Sequence, residues 1–506
     1  MTVPTKFQLA LSNETATAHL MADLALLISP GDVITLSGDL GAGKTAAARA
    51  MIRYLAGDDA LEVPSPTFTL AQTYDLLPFP LVHADLYRVN DASELEEIGL
   101  SPLPEGTVAL IEWPERAASA LPPDRIDIAL SHRPALGSTA RAAEITGYGK
   151  AAGQVARLKS LRQFLADAGY ADAKRQRMPG DASTRSYARL VRDDGVVILM
   201  NSPRRPDGGK SYATAVHLAE DVKPFVAIAN GLRERGFSAP TIHHADLDTG
   251  FLITEDFGSA GFIEGDPPRP IAERYEAATD MLAALHREPL PEILPLAPQI
   301  SYAIPVFDTD ALLVEVGLML EWYLRDRGVE PTNNMRTEFV TMWRDLLSKP
   351  AATARTSGNT WVLRDFHSPN LIWLDQRPGI AKVGIIDFQD AVLGPAAYDL
   401  VSLLQDARID VPEQLELALL TRYIKARRAA DDSFDPASFA ELYAIMSLQR
   451  NTRLLGTFAR LNRRDGKPQY LRHQPRIWNY LSRSLAHPAL AAIREWYSTN
   501  VLPPVP

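Results

Sequence analysis

Two groups of residues in this chain have the types and spacing for phosphoryl chemistry. The first is Gly38-Asp39-Leu40-Gly41-Ala42-Gly43-Lys44-Thr45, a glycine-rich turn ending in Lys-Thr. Gly38, Gly41 and Gly43 let backbone N–H groups close around phosphate oxygens, and a following helix adds its positive N-terminal dipole. Lys44 then reaches the outer phosphates of ATP, and Thr45 supplies a ligand to magnesium. Such a loop needs a further carboxylate to hold the metal or position water. Asp85 and Glu112 each end an apolar run, at 81–84 and 108–111. The ends of strands beside such a loop are where ligands bind in open α/β sheets.

The second group lies far downstream. Asp365 and Asn370 stand five residues apart in Leu363-Arg364-Asp365-Phe366-His367-Ser368-Pro369-Asn370, and Asp387 follows in Ile385-Ile386-Asp387-Phe388. Kinase-type transfer needs one carboxylate to receive the attacking hydroxyl, here Asp365. It also needs an Asn and a second Asp, here Asn370 and Asp387, to hold magnesium on the phosphates. His367, next to Asp365, is a candidate substrate contact.

The elements that must present these groups differ between the two parts. Residues 1–150 alternate apolar runs (32–36, 81–84, 107–111, 125–130, 143–146) with helical stretches such as 45–55, which predicts an α/β sheet. The small residues of 147–153 mark a boundary. Beyond it, 189–191 and 196–200 flank Asp193-Asp194-Gly195 and predict a β-hairpin with an Asp-Gly turn. Helical patterns dominate from about 270, apart from a strand–loop–strand island at 361–388. The predicted domains are a P-loop domain over 1–150 and a bilobal kinase-like domain over 155–506. Its β-rich small lobe covers about 155–256 and its helical large lobe about 257–506.

Composition sets outer limits. No cysteine occurs among the 506 residues, so thiolate catalysis, thiolate metal sites and disulfides are excluded. The net charge of −10 argues against a general nucleic-acid binder. That charge is uneven, with 10 basic and 19 acidic residues in 1–150 but 10 basic and 3 acidic in 441–506. No long apolar run predicts a membrane span and no leader is read, so the expected location is the cytoplasm.

Residues 1–150 resemble the TsaE family of ATPases that support tRNA threonylcarbamoyladenosine synthesis. The successive motifs are Pro64-Ser65-Pro66-Thr67-Phe68, His83-Ala84-Asp85-Leu86-Tyr87-Arg88, Glu97-Ile98-Gly99-Leu100 and Ile111-Glu112-Trp113. The resemblance implies that Lys44 and Thr45 bind nucleotide and magnesium. It places Thr67 in a switch-like loop and Trp113 beside the nucleotide, while Asp85 and Glu112 complete the metal and hydrolysis site. It also implies TsaB and TsaD as protein partners, with tRNA engaged only indirectly. The acidic balance fits that indirect role.

Residues from about 155 to 500 resemble the AmgK family of anomeric N-acetylmuramate/N-acetylglucosamine kinases, within the aminoglycoside phosphotransferase superfamily. The likeness rests on Gly180-Asp181-Ala182-Ser183, the 363–370 run, Ile386-Asp387-Phe388-Gln389-Asp390-Ala391 with Gly394-Pro395, and the late Gln449-Arg450 and 456–460 stretches. It implies a phosphate-covering loop at 180–187, containing Ser183, and a hinge at 254–258, containing Glu255. Asp399, in the element after the metal site, is expected to brace the catalytic loop. The strand at 196–200 ends in Met200 where related kinases carry Lys, so Arg185 or Arg189 is expected to supply the missing charge. Arg453 and Arg460, seven residues apart and so on one helix face, are candidates for gripping an anionic sugar. Two alternatives remain open at this point. One is a kinase of another hydroxyl compound, of aminoglycoside, choline or homoserine type; the other is a nucleotide-binding pseudokinase that regulates the ATPase.

Overall fold

The computed structural model describes residues 4–75, 78–89, 94–97, 99–100, 102–179, 185–204, 212–349 and 360–504. The chain forms two compact units, Met1–Pro203 with Ile242–Asp256, and Arg204–Thr241 with Phe257–Pro506. Among the described residues no helix is long and apolar enough to cross a membrane.

The first unit holds two sheets. One has seven strands, β1 (Thr5–Leu11), β2 (Val33–Ser37), β3 (Ala71–Tyr74), β4 (Leu81–Asp85), β5 (Val108–Glu112), β6 (Arg125–His132) and β7 (Arg141–Tyr148). They lie in the order β1-β7-β6-β2-β5-β4-β3, with β6-β2-β5-β4 parallel and the outer pairs antiparallel. The parallel core follows from sequence, because β4 and β5 are buried along their whole length and read as apolar runs. Helix α1 (Glu14–Ala25) starts where the Asn13 side chain accepts the Ala16 N–H, and α2 (Lys44–Ala56) starts at the end of the glycine turn. The five predicted strands are all present. β1 and β3 were not anticipated: β1 is half-buried and pairs with β7 across most of the domain, and β3 is a four-residue edge strand.

The second sheet runs β11-β12-β10-β9-β8, from β8 (Lys174–Arg177), β9 (Ser186–Arg192), β10 (Gly195–Asn201), β11 (Ile242–Asp246) and β12 (Phe251–Glu255). The predicted hairpin is β9–β10, but Arg192 pairs with Gly195, so Asp193-Asp194 form the turn. Gly195, at φ +149°, begins β10 instead of completing an Asp-Gly turn.

One helix, Ala151–Asp167, serves both sheets. Its Val155 and Leu158 join the core of the seven-stranded sheet, while Leu161 and Leu165 join the core of the second with Leu190, Leu199 and Phe251. Leu26 and Leu27, just after α1, also pack on the second core. At the same junction Asp23 of α1, 1% exposed, receives Arg175 Nε at 2.9 Å and Arg162 Nη1 at 2.7 Å. Breaking a buried ion pair from one side leaves an uncompensated charge and costs about 3–5 kcal/mol. Asp23→Ala is therefore expected to destabilise the first unit by about that amount. Amide exchange should rise together in β2 and in β9–β10; a rise confined to one sheet would contradict the shared packing.

The second unit is mainly helical, and its longest helix is Pro436–Asp465. The island at 361–388 is present as short strands. Thr360–Val362 pairs with Val392–Gly394, and Leu371–Trp373 pairs with Val383–Ile385. A further hairpin, Ile293–Ala297 with Ile300–Ala303, had no clear sequence signal because its outer positions are exposed.

Candidate functional site

The first site sits at the carboxyl ends of β2, β4 and β5. Gly38 and Gly43 have φ of +133° and +103°, and a Cβ on Gly38 would lie 2.2 Å from the Leu130 carbonyl oxygen. Only glycine fits the chain's path there. Lys44 is 5% exposed and its Nζ donates to the carbonyls of Gly38 at 2.7 Å and Asp39 at 2.9 Å. It also lies 3.5 Å from the centre of the Trp113 ring. Burial lowers the Lys44 pKa, against the pull of Glu112, Glu115 and Asp85. Thr45 Oγ1 donates to Glu112 Oε2 at 2.9 Å, and His83 Nε2 lies 2.9 Å from Glu112 Oε1. Asp85 accepts from the hydroxyls of Ser65 and Thr67, both at 2.9 Å, so the Thr67 loop is tied to the end of β4.

All the residues predicted for this site therefore gather around one loop. Two others were not anticipated. His83, fully buried, holds Glu112 from behind. Arg141, on β7, donates Nε to the Ala42 carbonyl at 2.9 Å and Nη2 to the Gly41 carbonyl at 3.3 Å. It fastens the glycine loop from a position nearly one hundred residues downstream, where no local motif marks it.

The second site is built on the 363–370 loop and the hairpin after it. Asp399, fully buried, accepts the Leu363 N–H at 2.6 Å and the Arg364 N–H at 2.9 Å. Burial pushes its carboxyl up to about 7, against the hydrogen bonds from Leu363 and Arg364. Arg364 takes a left-handed φ of +67°, and its side chain bonds the Val216 carbonyl at 2.6 Å and the Glu315 carboxylate. Asp365 follows. Burial opposes its ionisation, but His367, Arg453, Arg450 and Arg364 hold its carboxyl down at about 2. Asn370 Nδ2 donates to the Asp365 carbonyl at 3.0 Å and lies 3.4 Å from Asp387 Oδ2. Asp387, at φ +60°, also receives Gln389 Nε2 at 3.0 Å.

The predicted substrate residues fall in different settings. His367 is 4% exposed, 3.9 Å from Asp365 Oδ1 and 3.2 Å from Arg408, with its pKa lowered to about 4 first by burial and then by Arg408. Arg453 bonds Glu315 at 3.2 Å and reaches within 3.9 Å of Asp365. Arg460 stacks on the Tyr212 ring at 4.6 Å. In the second sheet Met200 is buried in the core, Arg189 Nε bonds Asp256 at 2.7 Å, and Glu255 pairs with Val197 across the strands. Arg185 just precedes β9. Ser183 lies outside the described residues.

The oxygen donors at both sites suit a hard divalent cation. Among the described residues no three His, Cys, Asp or Glu side chains gather as a metal cage. A magnesium ion held by one or two protein groups and by phosphate oxygens matches the Thr45–Glu112 and Asn370–Asp387 pairs. The buried Lys44 ammonium donates to the carbonyls of the glycine loop itself.

The geometry defines a chain with a P-loop centre and a kinase-type phosphotransferase centre. The family model described as "Threonylcarbamoyl adenosine biosynthesis protein TsaE" matches residues 11–140, and "Phosphotransferase enzyme family" matches 174–442. The chain belongs to both families, as a fusion of the two. An N-acetylmuramate/N-acetylglucosamine kinase of Caulobacter vibrioides is 36% identical over 356 residues, covering 67% of this chain and 95% of that protein. The protein of that name from Pseudomonas aeruginosa is 32% identical over 319 residues, covering 62% and 85%. A tRNA threonylcarbamoyladenosine biosynthesis protein TsaE of Rickettsia felis is 40% identical over 122 residues, covering 24% and 71%. These memberships make the chain a phosphotransferase with an ATPase module, and imply use of ATP and a divalent metal.

Hydrogen bonds from a charged donor contribute about 1.5–3 kcal/mol. Arg141→Gln should therefore weaken nucleotide binding at the first site by about tenfold or more. The readout is the component of a fluorescent-nucleotide titration that Lys44→Ala abolishes; an unchanged affinity would contradict the fastening role.

Proposed function

We propose that the chain is bifunctional. Residues 1–150 form an ATPase that supports threonylcarbamoyladenosine modification of tRNA through TsaB and TsaD, meeting tRNA only indirectly. Residues 155–506 form a kinase that transfers the γ-phosphoryl group of ATP to the anomeric hydroxyl of N-acetylmuramate or N-acetylglucosamine, in the cytoplasm. The observation that carries the kinase reading is the gathering of Asp365, Asn370 and Asp387 on one braced loop and hairpin. The names of the 36% and 32% identical relatives support the choice of sugar.

In this reading Asp365, held ionised, accepts the hydrogen bond of the anomeric hydroxyl, orients its oxygen and takes its proton as the new phosphorus–oxygen bond forms. Asn370 and Asp387 hold magnesium, which when bound neutralises charge on the phosphates. Gln389 and the Asp365 carbonyl fix those two ligands in turn. At the first site Lys44 binds the outer phosphates, Thr45 and Glu112 hold the metal, and Asp85 with Thr67 responds to the γ-phosphate. His83 keeps Glu112 aimed at Thr45.

The two activities separate by mutation. Asp365→Asn should lower kcat for sugar phosphorylation by about 100- to 10,000-fold and leave ATP hydrolysis by the first module in place. Lys44→Ala should do the reverse. Retention of sugar phosphorylation by Asp365→Asn, in an assay of ADP release with each sugar, would refute the kinase assignment.

A further inference from the structure

A cavity of about 730 Å³ opens beside the glycine loop of the first site. Ala42, Gly43 and Ala46, on either side of Lys44 and Thr45, form one end of it, with Arg141 next to them. From there it runs along α2 past Ala50, Arg53 and Tyr54. At 1.5 Å per residue, Tyr54 stands about 15 Å along the helix from Lys44. The far end is bounded by α1 through His19 and by β8 through Lys174, Gln176 and Arg177. The family match of the first module ends at residue 140 and that of the phosphotransferase begins at 174, so β8 is the first strand of the second family.

The side chains at that far end are of two kinds. Some are committed: Arg53 Nε donates to the Leu61 carbonyl at 2.9 Å, Arg175 is spent on Asp23, and Lys174 pairs with Asp59 at 2.6 Å. Others are not. Arg177 is half-buried and has no hydrogen-bond or ion-pair partner among the described residues. It lies close enough to Tyr54 for its charge to act on that hydroxyl. His19 is 8% exposed, and its ring borders the cavity without making a hydrogen bond among the described residues. Burial and then Arg175 hold its pKa down at about 4, so at neutral pH the ring keeps one donor and one acceptor nitrogen. Polar groups buried in this way normally have partners, and a ligand in the cavity would supply them.

A phosphate chain gripped by the glycine loop leaves the rest of the nucleotide to occupy the space that borders the loop, and this cavity has the volume of a small-ligand site. We propose that strand β8 completes the nucleotide pocket of the ATPase module, with Gln176 and Arg177 on one side and His19 on the other contacting the adenosine end of the ATP or ADP held at Lys44. This rests on the ATPase reading of the first module and adds to it a wall from the second. A guanidinium can stack on a purine or bond a ribose hydroxyl, and a neutral imidazole can bond either edge of a base. Residues 11–140 thus serve the phosphates, and the strand that enters the 180–187 loop of the kinase-like part serves the adenosine.

The test uses the full chain and follows the nucleotide-binding component that Lys44→Ala abolishes. It is read by displacement of a fluorescent nucleotide with ADP and, separately, with inorganic pyrophosphate, and thermal melts check folding. Arg177→Gln should weaken ADP by about tenfold, the loss expected for one hydrogen bond from a charged donor, and leave pyrophosphate unchanged. Gln176→Ala, at an exposed position, should weaken ADP less, again with pyrophosphate unchanged, and it decides the matter if Arg177→Gln does not fold. Unchanged ADP affinity in the folded variant would overturn the proposal. Equal weakening of ADP and pyrophosphate would overturn it too, because it marks a disturbed glycine loop and not a contact with adenosine. A full chain with no Lys44-dependent component would remove the ATPase reading itself, and the proposal with it.

Discussion

The kinase centre depends on one buried carboxylate, Asp399. Its two oxygens accept consecutive backbone N–H groups from Leu363 and Arg364, which fixes the chain just before Asp365. Arg364 can then hold a left-handed backbone that a non-glycine residue rarely adopts. The strain is held by the surroundings: Ser402 donates to the Arg364 carbonyl at 3.2 Å, and the side chain is anchored to Val216 and Glu315. With the loop so fixed, Asn370 can reach back to the Asp365 carbonyl and across to Asp387. Asp365 and the Asn370–Asp387 pair are thus positioned by the same few bonds.

A different constraint governs the first unit. The helix Ala151–Asp167 contributes to two cores, and Asp23 ties α1 to both Arg162 and Arg175. The segment that joins the two families is therefore packed structure and not a loose tether. The glycine loop is held within this body by Arg141.

Much of both sites was legible because the chemistry is written in short spacings. The grouping of the 38–45 turn with Glu112, and of Asp365, Asn370 and Asp387, could be expected from local sequence, and the hairpin beside Asn370 could be read from its apolar runs. Asp399 was expected as a brace and is one. What could not be read are the partners that meet only through the fold. Arg141 and the glycine loop are about a hundred positions apart, and Asp23 and Arg175 more than one hundred and fifty. Strand β1 was hidden because its pairing with β7 is a long-range contact. The turn at 193–195 was misplaced by one residue, since Gly195 offers the same sequence signal inside the turn or just after it. The charge of the late helix was visible, but only the structure shows Arg453 spent on Glu315.

On the proposed reading, Asp365 serves the anomeric hydroxyl of an amino sugar. The most direct measurement is the phosphorus–proton coupling in the product formed by the full chain from ATP and N-acetylmuramate. Coupling of the new phosphate to the proton on the anomeric carbon is the result this account predicts. A phosphate coupled to any other carbon's protons, or ADP release with no sugar phosphate, would contradict it.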